Sequence, residues 1–507
     1  MLHLPFFFSK TPPGPHPRVE PKYSVPLSPE NIEKIFQNCA DLISRPLAVG
    51  GDPSRRGRAL WLDGMVSSGE VAETVLRPLT DKERFPSALS PEAAAEQALQ
   101  GGIYACTVRA LHTADEAAAA LLNGCCLVFF PADAGCLSFE VKSPQRRGVE
   151  QPSIEKTVKG ARDAFSETLR TNTALVRRKL RTAELRVEQT TVGRKSGTTV
   201  ALLYLEGVAD PALPRRLREK LDALDVDGLL SAGGLEEYLT ECPASPFPQM
   251  LHTERPDKFA ADLLQGRIGL LVDGLPLGFL LPATLPAFLR VGEDTALHWT
   301  SASMVTLLRY LALVITLVLP ALYVAIAMYH QEMIPLRLLQ SVIRNKQQVP
   351  FSTATEILGM LAAFELLQEA GLRLPDPIGQ TVSIIGALIV GQSAVEASVI
   401  SPIAVIIVAV AGICGYVQPS QDLGSALRLC RFVLVLAAIA AGMAGLVAGV
   451  ILLVYHLAGL SSLGVSYLAP LDQGGLRQFL RSVFRPPLWT QKTRPQELHP
   501  RDRRRQK

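Results

Sequence analysis

Two polar side chains, Gln392 and Glu396, interrupt an otherwise almost wholly apolar stretch that runs from residue 386 to residue 412. A spacing of four residues places them on the same face of a helix. A charged carboxylate at bilayer depth costs about 2.5–3.5 kcal/mol or more, so such a group normally faces protein or water. The pair therefore fits either a polar ring or gate on a pore, or a turn at the membrane surface over residues 392–401.

The helix predicted from residue 378 to about residue 399 has two different faces at 100° per residue. Its mixed apolar and polar face is the candidate pore lining and consists of Thr381, Ile385, Leu388, Gln392 and Glu396. Its opposite face carries small residues, which let helices approach closely in lipid, among them Gly379, Ser383 and Ala387. The last apolar stretch also has small residues at a spacing of four, namely Ala437, Ala441, Gly445 and Gly449. We therefore expect these helices to pack against protein over much of their surface.

Motifs of enzymes and metal sites are missing from the sequence. The segment GDPSRRG (51–57) lacks the ending of a phosphate-binding P-loop, and no G-x-S-x-G, H-E-x-x-H or G-x-G-x-x-G pattern occurs. His330 and Glu332 lie together without a third ligand nearby, which favours a polar cap at the end of a span. The eight cysteines have no C-x-x-C spacing, so free thiols are expected rather than a zinc site. We predict no enzymatic activity, no cofactor and no metal.

Charge is distributed unevenly along the 507 residues. The net charge of +4 argues against a nucleic-acid-binding protein, and the charged share of 19% is below that of typical soluble domains. Residues 476–507 form a basic tail with ten Lys and Arg. This tail could contact anionic membrane lipid, at about 1 kcal/mol per basic residue, or be a solvated, disordered segment that helps to set topology.

The first 300 residues have the composition of a soluble region. Strand-like runs at 103–110, 125–130, 198–207 and 266–274 alternate with helical patterns at 160–180 and near 212–224. Ser28 followed by Pro29 predicts the start of a helix. The predicted fold class is an α/β soluble N-terminal region of two subdomains followed by an all-α polytopic membrane domain. The predicted boundaries are a disordered Pro-rich extension over 1–23, subdomain 1 over 24–142 and subdomain 2 over 154–300, with a linker near 143–153.

The predicted membrane domain covers residues 304–460. Spans are expected near 310–329, 378–395, 397–417 and 432–458, where the middle two are either short spans or a re-entrant pair. The amphipathic pattern of 356–371 predicts a helix that lies in the membrane interface or packs on the bundle. The N-terminus has no signal peptide, so an unexported N-terminal region is expected. The basic tail predicts a cytoplasmic C-terminal segment. An even number of spans follows, and four is the simplest count.

Several longer segments carry a specific resemblance. They include GARDAFSETLRTNTALVRRKL, SPFPQMLHTERPDKFAADLLQGRIGLLVDG, YHQEMIPLRLLQSVI, VPFSTATEILGMLAAFELLQEAG and QPSQDLGSALRLCRF, in this order. With these segments the chain resembles the GerA spore germination family, the A subunits of spore nutrient germinant receptors. The PFPQ and TERPD motifs are expected to form a structural turn joining the soluble and membrane parts, with Pro246, Pro248, Glu254, Arg255, Pro256 and Asp257.

The resemblance implies a multi-pass protein of the bacterial spore inner membrane. Its expected partners are a transporter-like B subunit, a lipoprotein C subunit and further copies of itself, with a pentamer as the expected oligomer. The oligomer is expected to conduct monovalent cations and to release them at the start of germination. One alternative is the accessory channel paralogue of the dipicolinate-channel operon. The other is a non-conducting membrane scaffold that couples a sensor subunit to a separate channel. A secondary transporter is disfavoured because the spans show no internal repeat.

Overall fold

The computed structural model describes residues 22–506 except Ser87, Cys106, residues 142–151, 153–154, 156–158, 374–390, 473–479 and Arg481. The chain divides into two compact units. The first comprises residues up to Arg146 together with Leu180–Arg186, and the second comprises Arg147–Lys179 and Val187–Lys507. The second unit contains both a sheet and all helices of the apolar region.

The first unit is built on a five-stranded sheet with helices packed against it. The sheet has the order β1-β2-β4-β5-β3, and the pairs between neighbouring strands are antiparallel. Its strands are β1 (Leu42–Ala48), β2 (Arg56–Leu62), β3 (Val108–Leu111), β4 (Cys125–Phe129) and β5 (Cys136–Glu140). Its helices are α1 (Pro29–Ile35), α2 (Ser68–Glu70), α3 (Arg77–Thr80), α4 (Pro91–Gln97) and α5 (Ala114–Leu122).

The second unit begins with a similar five-stranded sheet, in the order β6-β7-β9-β10-β8. Its strands are β6 (Leu185–Val192), β7 (Thr198–Leu205), β8 (Leu251–Thr253), β9 (Ile268–Val272) and β10 (Gly278–Leu281). Its helices are α6 (Leu169–Lys179), α7 (Ala212–Asp222), α8 (Ala232–Leu239), α9 (Pro256–Leu263) and α10 (Leu285–Phe288). A short hairpin of β11 (Ser461–Ser462) and β12 (Val465–Ser466) follows the helical region.

Phe259 fixes α9 against this sheet. Its ring lies over Gly269 of β9 and Gly278 of β10, where an added Cβ would come within 2.1 Å and 2.6 Å of ring atoms. The Phe165 ring meets it edge-on at 5.5 Å between centroids. The two glycines therefore allow a close approach of helix and sheet that any side chain would block.

The fold class is confirmed, with two differences in local structure. The strand expected from residue 103 begins only at Val108, and the helix expected from residue 160 begins only at Leu169. Phe165 lies in extended chain before α6 because its backbone N–H donates to the carbonyl of Glu254, 2.8 Å away. The Asn172 side chain also holds this segment by accepting from the Ser166 N–H.

Among the described residues, five helices with defined bounds belong to the apolar region. They are α11 (Trp299–Tyr329), α12 (Leu336–Lys346), α13 (Thr353–Arg373), α14 (Pro402–Tyr416) and α15 (Gln421–Gly459). By length and apolar composition alone, α11 and α15 are the two described helices long enough to cross a membrane. The expected span near 378–395 lies mostly outside the described residues.

Helix α13 contains the amphipathic stretch 356–371, for which packing on the bundle is one of the two expected placements. It packs inside the bundle, where Ile357 and Leu361 are fully buried. The Phe364 ring lies so close to Gly412 of α14 that a Cβ there would be 2.4 Å away. Residues 357, 361 and 364 follow helical spacing, so one apolar stripe of α13 faces protein rather than a bilayer surface.

Helix α15 is a hairpin rather than one continuous rod. Ala441 (φ −139°, ψ 20°) and Gly442 (φ 57°, ψ −135°) break it. Beyond the break, Gly445 lies against the Ala437 carbonyl and Gly449 against the Leu434 side chain. These pairs are symmetric about the break, as in two antiparallel limbs. The expectation of one helix over 432–458 with small residues on a single face is therefore corrected.

Both ends of α15 contact the second sheet region, by which we mean the second five-stranded sheet with the helices and loops that accompany it before α11. Asp422 Oδ2 lies 3.1 Å from His252 Nδ1, and His456 Nε2 lies 2.9 Å from Ser245 Oγ. A straight helix of this length would separate its ends by about 58 Å, at 1.5 Å per residue. The two contacts therefore require the chain to reverse.

The described part of the basic tail is docked on the second unit. Arg494 Nε donates to the Leu264 carbonyl at 2.9 Å, and the Arg501 N–H donates to the Val208 carbonyl at 3.0 Å. Thr493 and Arg504 form an antiparallel bridge within the tail. These hydrogen bonds give the described part of the tail a defined path, in contrast to the solvated, disordered segment that its composition allowed.

Candidate functional site in the helical region

Gln392 and Glu396 lie together at the end of a helical segment over residues 391–396. Gln392 Nε2 donates to Glu396 Oε1 at 3.0 Å, and both side chains are exposed on the single chain. A turn follows, with Ser398 in the left-handed region at φ 51°. The other candidate pore-lining residues, Thr381, Ile385 and Leu388, lie outside the described residues, as do Gly379, Ser383 and Ala387.

A buried carboxylate stands directly after that turn. Glu356 of α13 is 3% exposed, and its Oε2 accepts from the backbone N–H of Ser401 at 3.0 Å. Ser401 is the N-cap of α14 and accepts from the Ala404 N–H. The negative charge lies near the N-terminus of a 15-residue helix, where the helix dipole stabilises an anion. Glu356 thus fixes the start of α14 and the turn that follows Glu396.

A second polar layer links α13 to the first limb of α15. Arg431, 1% exposed, donates from Nη2 to Glu365 Oε1 at 2.6 Å. Arg428 Nη1 donates to Gln368 Oε1 at 2.7 Å. Paired in this way, a guanidinium and a carboxylate can remain charged inside a bundle at a lower cost than either alone.

A third pair joins the helices to the second sheet region. Arg309 of α11 donates to both oxygens of Asp294, at 2.6 Å and 3.0 Å. Its Nη1 also donates to the Leu289 carbonyl, and its own carbonyl accepts from Gln418 Nε2 at 3.2 Å. This buried network ties the beginning of α11 and the end of α14 to the segment before α11.

His252 adds a titratable contact at the same junction. The hydrogen bond to Asp422 raises the pKa of His252 above its usual value, against the opposing effect of burial. Lys258 lowers this pKa and Glu155 raises it, each by charge. The protonated imidazole therefore holds the start of α15 on β8 more strongly than the neutral one.

The motif turn TERPD lies in the second sheet region, on β8 and the start of α9. Arg255 is 1% exposed and donates from Nε and Nη2 to Asp257, at 3.0 Å and 2.5 Å. Pro256 occupies the first turn of α9, and the Glu254 carbonyl accepts from Phe165. The arrangement stabilises the turn and leaves Asp257 beside a cavity described below.

Pro246 and Pro248 flank Phe247, which is 3% exposed. The Phe247 ring lies 6.1 Å from the His456 ring of α15 and 6.4 Å from the Tyr467 ring. The PFPQ motif thus contacts the returning limb of the hairpin.

Sequence reasoning missed the pairs that the fold brings together. Glu365 and Arg431 are 66 residues apart in the sequence and lie on two different helices. Arg309 directly precedes the first apolar run in the sequence, but its partner Asp294 lies in a segment without a motif, so the pair could not be predicted. The signal that could have found them is the rarity of charged residues within an apolar region, since such residues usually face a partner.

Comparison with known proteins identifies the family of this chain. The model of the Bacillus/Clostridium GerA spore germination protein family matches residues 30–497. The chain belongs to this GerA family. The resemblance inferred from the sequence motifs is thereby confirmed.

Relatives of the GerA family protein cover nearly its whole length. The Bacillus subtilis protein named "Uncharacterized membrane protein YfkQ" is 35% identical over 481 residues, covering 93% of this chain and 91% of that protein. "Spore germination protein KA" of Bacillus subtilis is 34% identical over 474 residues, covering 94% and 86%. The crystal structure of the N-terminal domain of the A subunit of the Bacillus megaterium germinant receptor GerK3 is 25% identical and covers 50% of this chain and 93% of that domain, with a TM-score of 0.40.

Proposed function

We propose that this GerA family member is the A subunit of a nutrient germinant receptor in the inner membrane of the bacterial spore. Copies of its helical region assemble around a cation-conducting pore, which releases monovalent cations at the start of germination. Family membership supports the receptor role. The observation that carries the pore is the exposed Gln392–Glu396 pair within an apolar segment. This role requires no enzymatic activity and no cofactor.

The polar pair is more exposed than three charged groups that pack within the bundle, Glu356, Glu365 and Arg431. Glu356, Glu365 and Arg431 each have a partner inside the chain. Gln392 and Glu396 contact each other and otherwise face outward. In a membrane, an exposed carboxylate must meet water or another protein. We place it beside the pore axis of an oligomer, with Thr381, Ile385 and Leu388 continuing the lining.

The contacts of the second unit support a topology with both soluble ends on one side. The start of α11, both ends of α15 and the docked tail all contact the second sheet region. The basic tail favours the cytoplasmic face for this side. The proposed multi-pass region thus begins and ends in the cytoplasm. It comprises α11, α13, the expected spans near 378–395 and 397–417, and the α15 hairpin in place of the single expected span over 432–458.

The proposed partners follow from the family. A transporter-like B subunit recognises the germinant, a lipoprotein C subunit completes the receptor, and the A subunit self-associates as a pentamer. The small residues Gly379, Ser383 and Ala387 are the proposed contacts between neighbouring copies. Co-purification of tagged protein with B and C subunits tests these partners. Co-purification with the proteins of the dipicolinate channel instead would identify the accessory paralogue.

Conductance tests the pore. Purified oligomer in planar bilayers is expected to pass K⁺ and Na⁺, and Glu396→Gln is expected to lower cation over anion selectivity. Glu332→Gln is a matched control, because Glu332 is an exposed carboxylate near the end of α11 and outside the proposed lining. Absence of current from folded oligomer would favour the non-conducting scaffold. Unchanged selectivity after joint substitution of Gln392 and Glu396 would exclude them from the pore.

A further inference from the structure

A basic cavity of about 640 Å³ lies between α9, the segment before α11 and the docked tail. Its lining carries seven Lys and Arg side chains against four Asp and Glu. Three of the four acids already have arginine partners: Asp257 with Arg255, Asp262 with Arg267, and Asp294 with Arg309. In the lining, Lys258 and Arg494 pair with acids outside it, Glu155 and Asp502. Seven cations against four acids leave a net positive charge facing the cavity.

Three guanidiniums are concentrated on one side of the cavity. Arg290 Nη2 donates to the Ser482 carbonyl, Arg485 donates to carbonyls of residues 294–297, and Arg505 donates to the Gln491 amide oxygen. Within the described chain, no carboxylate lies within ion-pair distance of Arg485 or Arg505. Burial lowers the pKa of Arg485, and Arg290 and Arg505 lower it further against the effect of Asp294. An anion among these groups would relieve their mutual repulsion.

An apolar groove of about 660 Å³ continues from the cavity and shares Arg485 and Pro486 with it. Its floor is the first turns of α11, with Met304 and Leu307, and its side is the tail residue Phe484. Met304 is 65% exposed. Reciprocal hydrogen bonds between Ser303 and the Arg485 backbone hold the tail on α11.

A basic cavity that continues into an apolar groove at the start of a long apolar helix can bind an amphiphile, with its anionic head in the cavity and its apolar chain in the groove. We propose that the cavity and the groove together bind one anionic phospholipid. The phosphoryl headgroup lies among Arg290, Arg485 and Arg505, and an acyl chain follows Met304 and Leu307. Free phosphate shares the chemistry of the headgroup but has no apolar part that could occupy the groove. The lipid is therefore the assigned occupant. The site is independent of the proposed pore.

Trp299 lines the groove and serves as a reporter. The experiment uses the full chain in detergent micelles, with Trp489→Phe to remove the nearby second indole. Trp61 is buried in the first unit and gives a constant background. Phosphatidylglycerol with brominated acyl chains is expected to quench Trp299 at a lower mole fraction than brominated phosphatidylcholine. Equal quenching by both lipids would overturn the proposal.

Charge variants locate the headgroup. Joint Lys492→Gln and Arg505→Gln, both in the lining, should weaken the preference for phosphatidylglycerol by about fivefold for each charge removed. The matched control is joint Arg501→Gln and Arg503→Gln, which removes two charges from tail residues outside the lining. An equal loss in the control would show that only the overall charge of the tail matters, and would overturn the site.

Two further arms separate the sources of the anion and guard against misfolding. Sodium phosphate replaces sodium chloride at equal ionic strength. Unchanged quenching supports the lipid, and selective loss of the phosphatidylglycerol effect would assign the cavity to free phosphate and overturn the lipid.

Met304→Gln, at an exposed position, should weaken quenching by both lipids while keeping the headgroup preference. Retention of full quenching in this variant would exclude the groove.

Discussion

Arg309 and Asp294 form a two-pronged ion pair at the point where the second sheet region meets the first long apolar helix. The side chains are 11% and 8% exposed, so water screens the pair little. The same guanidinium binds the Leu289 carbonyl. The pair thus fixes the position of α11 relative to the residues that precede it.

Asp294→Asn should destabilise the protein strongly. The substitution leaves the Arg309 charge buried without its partner, which typically costs about 3–5 kcal/mol. Glu73→Gln, in the exposed Arg77–Glu73 pair, is the control and should cost no more than about 1 kcal/mol. Thermal unfolding of the detergent-solubilised protein measures both. Similar losses in the two variants would contradict the structural role of the buried pair.

Gly442→Ala should disrupt the α15 hairpin. Gly442 has φ 57° and ψ −135°, a conformation that side chains disfavour, and a Cβ would lie 2.9 Å from Tyr329 Cγ. We expect a loss of about 1–3 kcal/mol from the backbone alone. Gly424→Ala is the matched control in the same helix, since nothing lies within 4 Å of its added Cβ. The control should be neutral or stabilising. The measurement is the yield of a disulfide between cysteines introduced at positions 434 and 449. Equal yields in the two glycine variants would contradict the prediction.

Glu356→Gln and Glu356→Leu should differ in effect. Glutamine keeps a carbonyl oxygen for the Ser401 N–H, whereas leucine leaves this buried donor unpaired at a cost of about 1–3 kcal/mol. Amide hydrogen exchange at the start of α14 should therefore speed up in the leucine variant and much less in the glutamine variant. The same two substitutions at exposed Glu332 provide controls. Equal exchange in both Glu356 variants would show that Ser401 does not depend on this oxygen.

His252 should make the docking of α15 dependent on pH. The raised pKa of His252 means that its contribution is fully present below the usual histidine value of about 6.5 and is lost as pH rises through the higher folded value. Protection of the amides at the start of α15, corrected for the base-catalysed intrinsic exchange rate, should accordingly fall as the pH rises above about 6.5. His252→Gln should remove this step, while exposed His112→Gln should keep it. A step that survives in His252→Gln would assign it to another group.

The sequence allowed some elements to be predicted because their causes are local. Ser28 accepts from the Asn31 N–H as a helix cap, and the four-residue spacing of Gln392 and Glu396 brings their side chains together. Thr381, Ile385 and Leu388 stay predictions, because they lie outside the described residues.

Other elements depend on contacts between distant segments. The Arg431–Glu365 pair depends on the relative rotation of two helices, which no periodicity specifies. The reversal at Gly442 was hidden because small residues in an apolar run are equally typical of helix packing. The charge of the tail left open a solvated segment or a contact with lipid, whereas its described path is set by Arg494 Nε and the Arg501 N–H, which donate to the Leu264 and Val208 carbonyls.

The hairpin of α15 has a mechanical consequence. Both limbs are attached to the same sheet region, at Asp422 and His456, and their far tip meets Tyr329. The 21 residues of the first limb span about 30 Å, so a tilt of the attached sheet by about 10° displaces the tip by about 5 Å. The paired limbs therefore act as a lever arm: a small rotation of the sheet region on one side of the bundle displaces the hairpin tip on the other side.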